Sequence, residues 1–184
     1  MKKIEVCPST LRPGFSTYSP IAVRELFDGV EVSPFIDINF ENERDQQQAM
    51  ENMNNMSISG AQEKFSAIID DGKIRLAHKG EQATFILKPA PFNLSLSTRK
   101  QIPANEHLTM QIASQVYGIS TASNGLCFSS NGQPVYITKR FDVINGVKEI
   151  SQEDFATVLQ MTEEGNDSNF KYHGNYAQIA DAIR

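Results

Sequence analysis

The sequence predicts an α+β fold, an antiparallel sheet with one principal helix laid beside it, and three stretches carry that prediction. The first is a pair of strand-like runs, KFSAIID (64–70) and KIRLA (73–77), joined at Asp71-Gly72, a dipeptide that favours a tight hairpin turn. The second is the apolar run ATFILKPA (83–90), stopped by Pro89 and Pro91 and followed at Pro103-Ala104-Asn105 by a helix start. Leu108, Ile112 and Val116 recur there at a spacing of four, which predicts one apolar helix face ending at Gly118. The third is LCFSS (126–130) and PVYITKRFD (134–142), with Asn131-Gly132 turning between them.

The remaining elements are shorter. Lys3 to Cys7 reads as a brief strand among Pro8, Pro13, Gly14, Pro20 and Pro34, which punctuate residues 1–35, and Ala22 to Phe27 as one or two helical turns. The stretch FENERDQQQAMENMNNM (40–56) is polar and shows no core-facing stripe, so it is expected as a solvated helix or connector. Asn145-Gly146 marks a further turn, and Ser151 with Asp154 resembles a capping box ahead of Phe155, Val158 and Leu159. The final NYAQIADAIR has a helical rhythm at Ile179 and Ile183 that stops at Arg184 without a cap, as expected of a chain cut short.

Composition narrows the function classes. The 184 residues, 40% of them hydrophobic, suffice for a buried core, and seventeen Lys and Arg against twenty-two Asp and Glu give a net charge of −5 and a pI near 5.2. Bulk attraction to nucleic acid or to an anionic membrane therefore has no support. Cys7 and Cys127 fall in no metal-binding spacing and are expected as small buried hydrophobes. The N-terminal MKKIEVCPST is too short in apolar residues for a signal peptide, and no run approaches the roughly 20 residues that span a bilayer. The protein is expected in the cytoplasm. His78, His107 and His173 are unclustered and are expected to be ordinary residues, and no metal site is expected within the chain.

Three groups could carry chemistry. Ser57-Ile58-Ser59-Gly60-Ala61-Gln62-Glu63-Lys64 leads straight into a hairpin strand, and its small residues would let backbone N–H groups approach an anion. Lys88 ends an apolar strand in which Phe85 and Leu87 face one side and Ile86 and Lys88 the other, so its ammonium must find an anion or snorkel outward. Glu106 stands at the start of the next helix, where the helix dipole also favours a carboxylate. Taken together, loop, strand lysine and helix glutamate follow the order of a protein-kinase N-lobe, and YITKRFD ends a strand where such a lobe hands the chain to a hinge.

The segments SISGAQEKFSA, FILKPAP, NEHLTMQIA and ITKRFD through QEDF closely resemble the HipA family of bacterial serine/threonine kinases, toxins of toxin–antitoxin systems, and most of all its short HipT-type members. The resemblance is dense from Met56 to Leu159 and faint before Met50. It implies a kinase-like N-lobe with an αC-like helix over 57–142, after an N-terminal segment and connector (1–56) and before an incomplete start of a helical C-lobe (143–184). Ser59, Gly60, Ala61, Gln62, Glu63 and Lys64 would form the nucleotide phosphate loop, Ser57 and Ser59 its autophosphorylation sites, Lys88 the lysine on the ATP phosphates and Glu106 its partner. Lys139, Arg140 and Phe141 would form the hinge, with Lys139 where family members such as HipA carry glutamate.

The family's catalytic and metal-binding aspartates have no counterpart here, since neither Asp167 nor Asp181 has the required setting. ATP and Mg²⁺ are the implied cofactors, with the metal ligands expected in the absent C-lobe, and the chain as given is expected to be inactive. The implied partners are an aminoacyl-tRNA synthetase as substrate, a helix-turn-helix antitoxin and a separate small N-subdomain-like protein; growth inhibition or persistence would follow. The alternative is a non-catalytic fragment that binds nucleotide or the antitoxin.

Overall fold

A computed structural model describes residues 3–51, 62–144, 146–148, 150–151, 153–162, 170 and 173–184. The first hairpin forms where the sequence predicts it. Strands β1 (Phe65–Asp70) and β2 (Lys73–Leu76) pair antiparallel through Asp70↔Lys73, and Asp71 and Gly72 both take positive φ, 46° and 69°. β3 (Phe85–Lys88) lies on the other side of β1, and after a 3₁₀ turn over Arg99–Gln101 the chain enters helix α3 (Ile102–Gln115), with Pro103 in its first turn. β4 (Asn124–Phe128) and β5 (Pro134–Lys139) complete a five-stranded antiparallel sheet of order β2-β1-β3-β5-β4. β5 stops at Lys139, short of the predicted Asp142, although the Arg140 N–H still bonds the carbonyl of Thr84, the residue opposite it beside β3.

Alternation along the strands gives the sheet two different faces. Phe65, Ala67, Phe85, Leu87, Val135 and Ile137 point to one face, which residues 3–51 cover. That segment contains helix α1 (Pro20–Phe27), capped by the Ser19 hydroxyl accepting from the Ala22 N–H, and helix α2 (Glu43–Glu51). Tyr18, Leu26, Phe27, Ile36 and Phe40 enter a single core with the sheet; Phe27 packs on Phe85, and Phe40 stacks on Phe65 at 5.3 Å between centroids. Cys7 and Cys127 are both buried free thiols, as expected.

Several expectations change. Lys3 to Cys7 makes only a single bridge, Val6 to Pro13, because Pro8 closes the run at once. The polar stretch from residue 40 does reach the core, through Phe40 and the small side chain of Ala49 on α2. The spacing-four face of α3 is not buried: Leu108, Ile112 and Val116 are exposed, while Pro103 and His107 are buried. The helix meets β4 and β5 along the line one residue earlier, where a hydrogen-bonded histidine fills the seam. α3 also ends three residues before Gly118.

Beyond the sheet, β6 (Val143–Ile144) and β7 (Val147–Lys148) pair antiparallel as a small two-stranded sheet. Asp154, not Ser151, caps α4 (Phe155–Val158), its carboxylate accepting from the Thr157 N–H. α5 (Tyr176–Ile183) begins at a capping box of Asn175 and Gln178 that the sequence analysis does not anticipate. No helix among the described residues is long and apolar enough to cross a membrane.

Candidate functional site

β3 and α3 bring Lys88 and Glu106 together. Lys88 is the last residue of β3, and alternation points it away from the Phe85 and Leu87 core, to the α3 face. There its Nζ lies 2.5 Å from Glu106 Oε1, and both side chains remain about one quarter exposed (25% and 27%). Tyr136 stands directly opposite Lys88 on β5, its ring 5.5 Å from the ammonium. Burial, and then the Glu106 charge, push the Tyr136 phenol up to about 12, so it remains neutral.

Lys64 adds a second cation. It immediately precedes β1, and burial together with the Lys88 charge lowers its pKa, an effect that Glu106 partly offsets. The backbone around it is pinned to the proline turn after β3: Gln62 Nε2 donates to the Pro89 carbonyl at 2.8 Å, and Glu63 Oε2 accepts from the Phe92 N–H at 3.2 Å. Gln62, Glu63, Lys64, Lys88 and Glu106 thus gather at one end of β3. Ser57, Ser59, Gly60 and Ala61 lie outside the described residues.

Lys139, Arg140 and Phe141 stand elsewhere, at the opposite end of the same strands. Lys139 pairs with Phe85 on β3, three residues or about 10 Å from Lys88 at the strand's rise. They line a cleft of about 730 Å³ together with Ile68, Thr84 and Ser123; neither Lys88 nor Glu106 lines it. The strand end is held rigidly, since the Lys139 N–H bonds the Ser123 carbonyl and the Arg140 N–H the Thr84 carbonyl. The Lys139 ammonium reaches Asp28, the left-handed cap of α1. The Phe141 ring is largely exposed.

Two residues beside these escape the sequence analysis. Asp142 is buried and takes a bidentate grip on the Arg140 guanidinium, at 2.9 Å and 2.6 Å, which raises the guanidinium's pKa further. The Arg-x-Asp spacing of Arg140 and Asp142 at the end of a strand was a legible signal for it. Tyr136 could have been found from the strand register alone. Among the described residues no three His, Cys, Asp or Glu side chains assemble into a group that could hold a metal ion.

Chemically, the Lys64–Lys88–Glu106 end can bind an anion on two ammonium groups, one of them fixed by a carboxylate on a separate element. A lysine on the third strand paired with a glutamate on the following helix is the arrangement that holds the phosphates of ATP in protein kinases. Comparisons with known proteins agree in direction. A family model described as the HipA-like C-terminal domain matches residues 56–184. A curated relative from Sinorhizobium fredii (strain NBRC 101917 / NGR234), Y4mE, named as an inferred kinase, is 31% identical over 113 residues, 59% of this chain. The chain spans about a quarter (25%) of that relative's length. With the match extending over more than half of its residues, the chain belongs to the HipA-like C-terminal domain family of kinase-like proteins.

Proposed function

We propose that this chain forms the nucleotide-binding lobe of an ATP-dependent serine/threonine protein kinase, the toxin of a bacterial toxin–antitoxin system, whose protein substrate is an aminoacyl-tRNA synthetase. The observation that carries the kinase reading is the Lys88–Glu106 ion pair, set between β3 and α3 with Lys64 beside it. The residues present fit ATP: Lys88 and Lys64 would take the phosphates, and the cleft at Thr84, Arg140 and Phe141 lies about one nucleotide's length along β3 from Lys88, about 10 Å, in place for the base. ATP supplies the phosphoryl group, and Mg²⁺ would neutralise its developing charge. On this reading the ligands of that metal, and the base that accepts the hydroxyl proton, would be supplied by a further lobe.

In this lobe Glu106 fixes the Lys88 ammonium, so that it meets the phosphates without reorganising, and most of its contribution is positioning and electrostatics. Phosphorylation of Ser57 or Ser59 would add roughly −1.5 to −2 charges to the segment leading to Lys64, and repulsion of the ATP phosphates would switch the lobe off. An antitoxin with a helix-turn-helix would carry DNA binding, consistent with the net charge of −5, and the site of action would be the cytoplasm. A separate small N-subdomain-like protein would act on the toxin.

Calorimetric titration with ATP tests the reading. Binding by the wild-type chain that is lost in Lys88→Ala and weakened in a Ser57→Asp, Ser59→Asp double variant is the expected result; unaltered affinity in Lys88→Ala would sink the nucleotide assignment. The second reading, a non-catalytic module that binds the antitoxin, is favoured by one observation, the exposed Leu108, Ile112 and Val116 stripe on α3. Antitoxin binding without any ATP binding would decide for it.

A further inference from the structure

His107 follows Glu106 on α3, yet the two point about 100° apart around the helix and to different strands. Glu106 reaches Lys88 on β3, while His107 is buried, 1% exposed, with its Nδ1 2.9 Å from Asn124 Oδ1 on β4. Because β5 lies between β3 and β4, the two residues fasten the helix across the width of that strand. The Asn124 amide is itself oriented: its Nδ2 donates to the Ala122 carbonyl at 2.8 Å, so its Oδ1 is left to accept from His107 Nδ1 and from Gln111 Nε2 at 3.2 Å. His107 must then carry its proton on Nδ1. Its Nε2 is buried with no hydrogen-bond partner among the described residues, an uncommon arrangement that simple packing does not favour.

We propose that His107 is the positioning residue of the Lys88–Glu106 pair: through Asn124 it fixes the rotation of α3 on the sheet and thereby sets Glu106 on the Lys88 ammonium. That the pair so positioned serves a nucleotide rests on the kinase reading above; that His107 positions it does not. The apolar stripe of α3 faces away from the sheet, so it supplies no competing hold on the helix rotation. Pro103, His107 and Gln111, on successive turns of one side, supply it instead, and of these His107 and Gln111 bond Asn124.

The test is the rate at which sulfosuccinimidyl acetate modifies Lys88, read by peptide mass spectrometry on the whole 184-residue chain. Glu106→Gln, which removes the charge on the pair, sets the unpaired rate, expected about fivefold above wild type. His107→Asn keeps an N–H at the same number of bonds from Cα as imidazole Nδ1, whereas His107→Leu fills the site without a donor. Positioning predicts that His107→Asn stays near the wild-type rate and that His107→Leu and Asn124→Leu approach the Glu106→Gln rate. A residue that merely packs gives the reverse order, slow for His107→Leu and fast for His107→Asn, and that order overturns the proposal.

Should the leucine variants not fold, the imidazole ¹⁵N spectrum of the wild type decides: Nδ1 protonated and Nε2 bare is required, and the opposite tautomer refutes it. Adding ATP to the wild type separates the two claims. Absence of protection of Lys88 by ATP, with the expected variant order intact, would remove the nucleotide reading and leave the positioning role standing.

Discussion

The two faces of the sheet are built for different tasks. On one, Phe65, Phe85, Leu87 and Ile137 meet Phe27, Phe40 and Leu26 from the first 51 residues in a continuous apolar layer. On the other, the same strands present Lys88, Tyr136 and Asn124 to a helix held by an ion pair and a histidine seam, with its own apolar stripe turned outward. The apolar core lies on the first face, and the proposed binding site on the second. Truncating a core aromatic should therefore cost far more stability than removing the lysine. Phe65→Ala, which empties a ring packed between Phe40 and Phe92, should lower the unfolding free energy by about 3–5 kcal/mol in urea titrations. Lys88→Met should lower it by less than about 1 kcal/mol, since its pair is a quarter exposed, while abolishing ATP binding. Equal losses in the two variants would erase the distinction between the faces.

A smaller effect probes how closely the N-terminal segment fits its face. A Cβ at Gly125 would stand 3.2 Å from Leu26 Cδ2 and from Ser9 Cβ, and 3.3 Å from Ser9 Cα, so Gly125→Ala should cost about 1–3 kcal/mol by overpacking. Its melting temperature should fall with ATP affinity unchanged. On the other face, burial of His107 holds its pKa below 6.5. Between that lowered value and 6.5 the unfolded chain binds a proton that the folded chain does not, so stability falls as pH drops through this window and owes nothing to His107 titration above it. The ring's hydrogen-bond partner, Asn124, and the Gln111 amide that shares its Oδ1 are neutral. The difference in urea midpoint between wild type and His107→Asn, followed from about pH 7.5 to about pH 5.5, should change only on the acid side, where it shifts against the wild type.

Much of the sheet was legible because its signals are local. Asp71-Gly72 fixes a hairpin by backbone preference alone, and the alternation of Phe85, Ile86, Leu87 and Lys88 assigns each to a face before any partner is known. Lys88 and Glu106 were legible as a pair from their order in the chain. The packing of α3 was not, because an apolar stripe and a polar seam one residue apart look alike in periodicity, and a buried histidine has no period of its own. Nor was the role of the first 51 residues, whose core contributions, Cys7, Tyr18, Ile36, Phe40 and Ala49, are scattered singly through loops and a polar helix. Asp28 and Lys139, 111 positions apart, meet only through the tertiary fold.

That last contact allows the smallest and most selective perturbation. The Lys139 ammonium bonds Asp28 on the rim of the cleft, with the Asp28 side chain 72% exposed. An exposed pair of this kind is worth about 0.2–1 kcal/mol and weakens with salt. Asp28→Asn keeps a residue that tolerates the left-handed cap, φ 54°, and removes only the charge. It should lower stability by less than about 1 kcal/mol at low ionic strength, and by nothing measurable in concentrated salt. ATP affinity should not change, because the Lys139 and Arg140 amides are held by the Ser123 and Thr84 carbonyls whatever the side chain does. A fall in ATP affinity in Asp28→Asn would mean that the lysine side chain, and not the backbone alone, shapes the cleft.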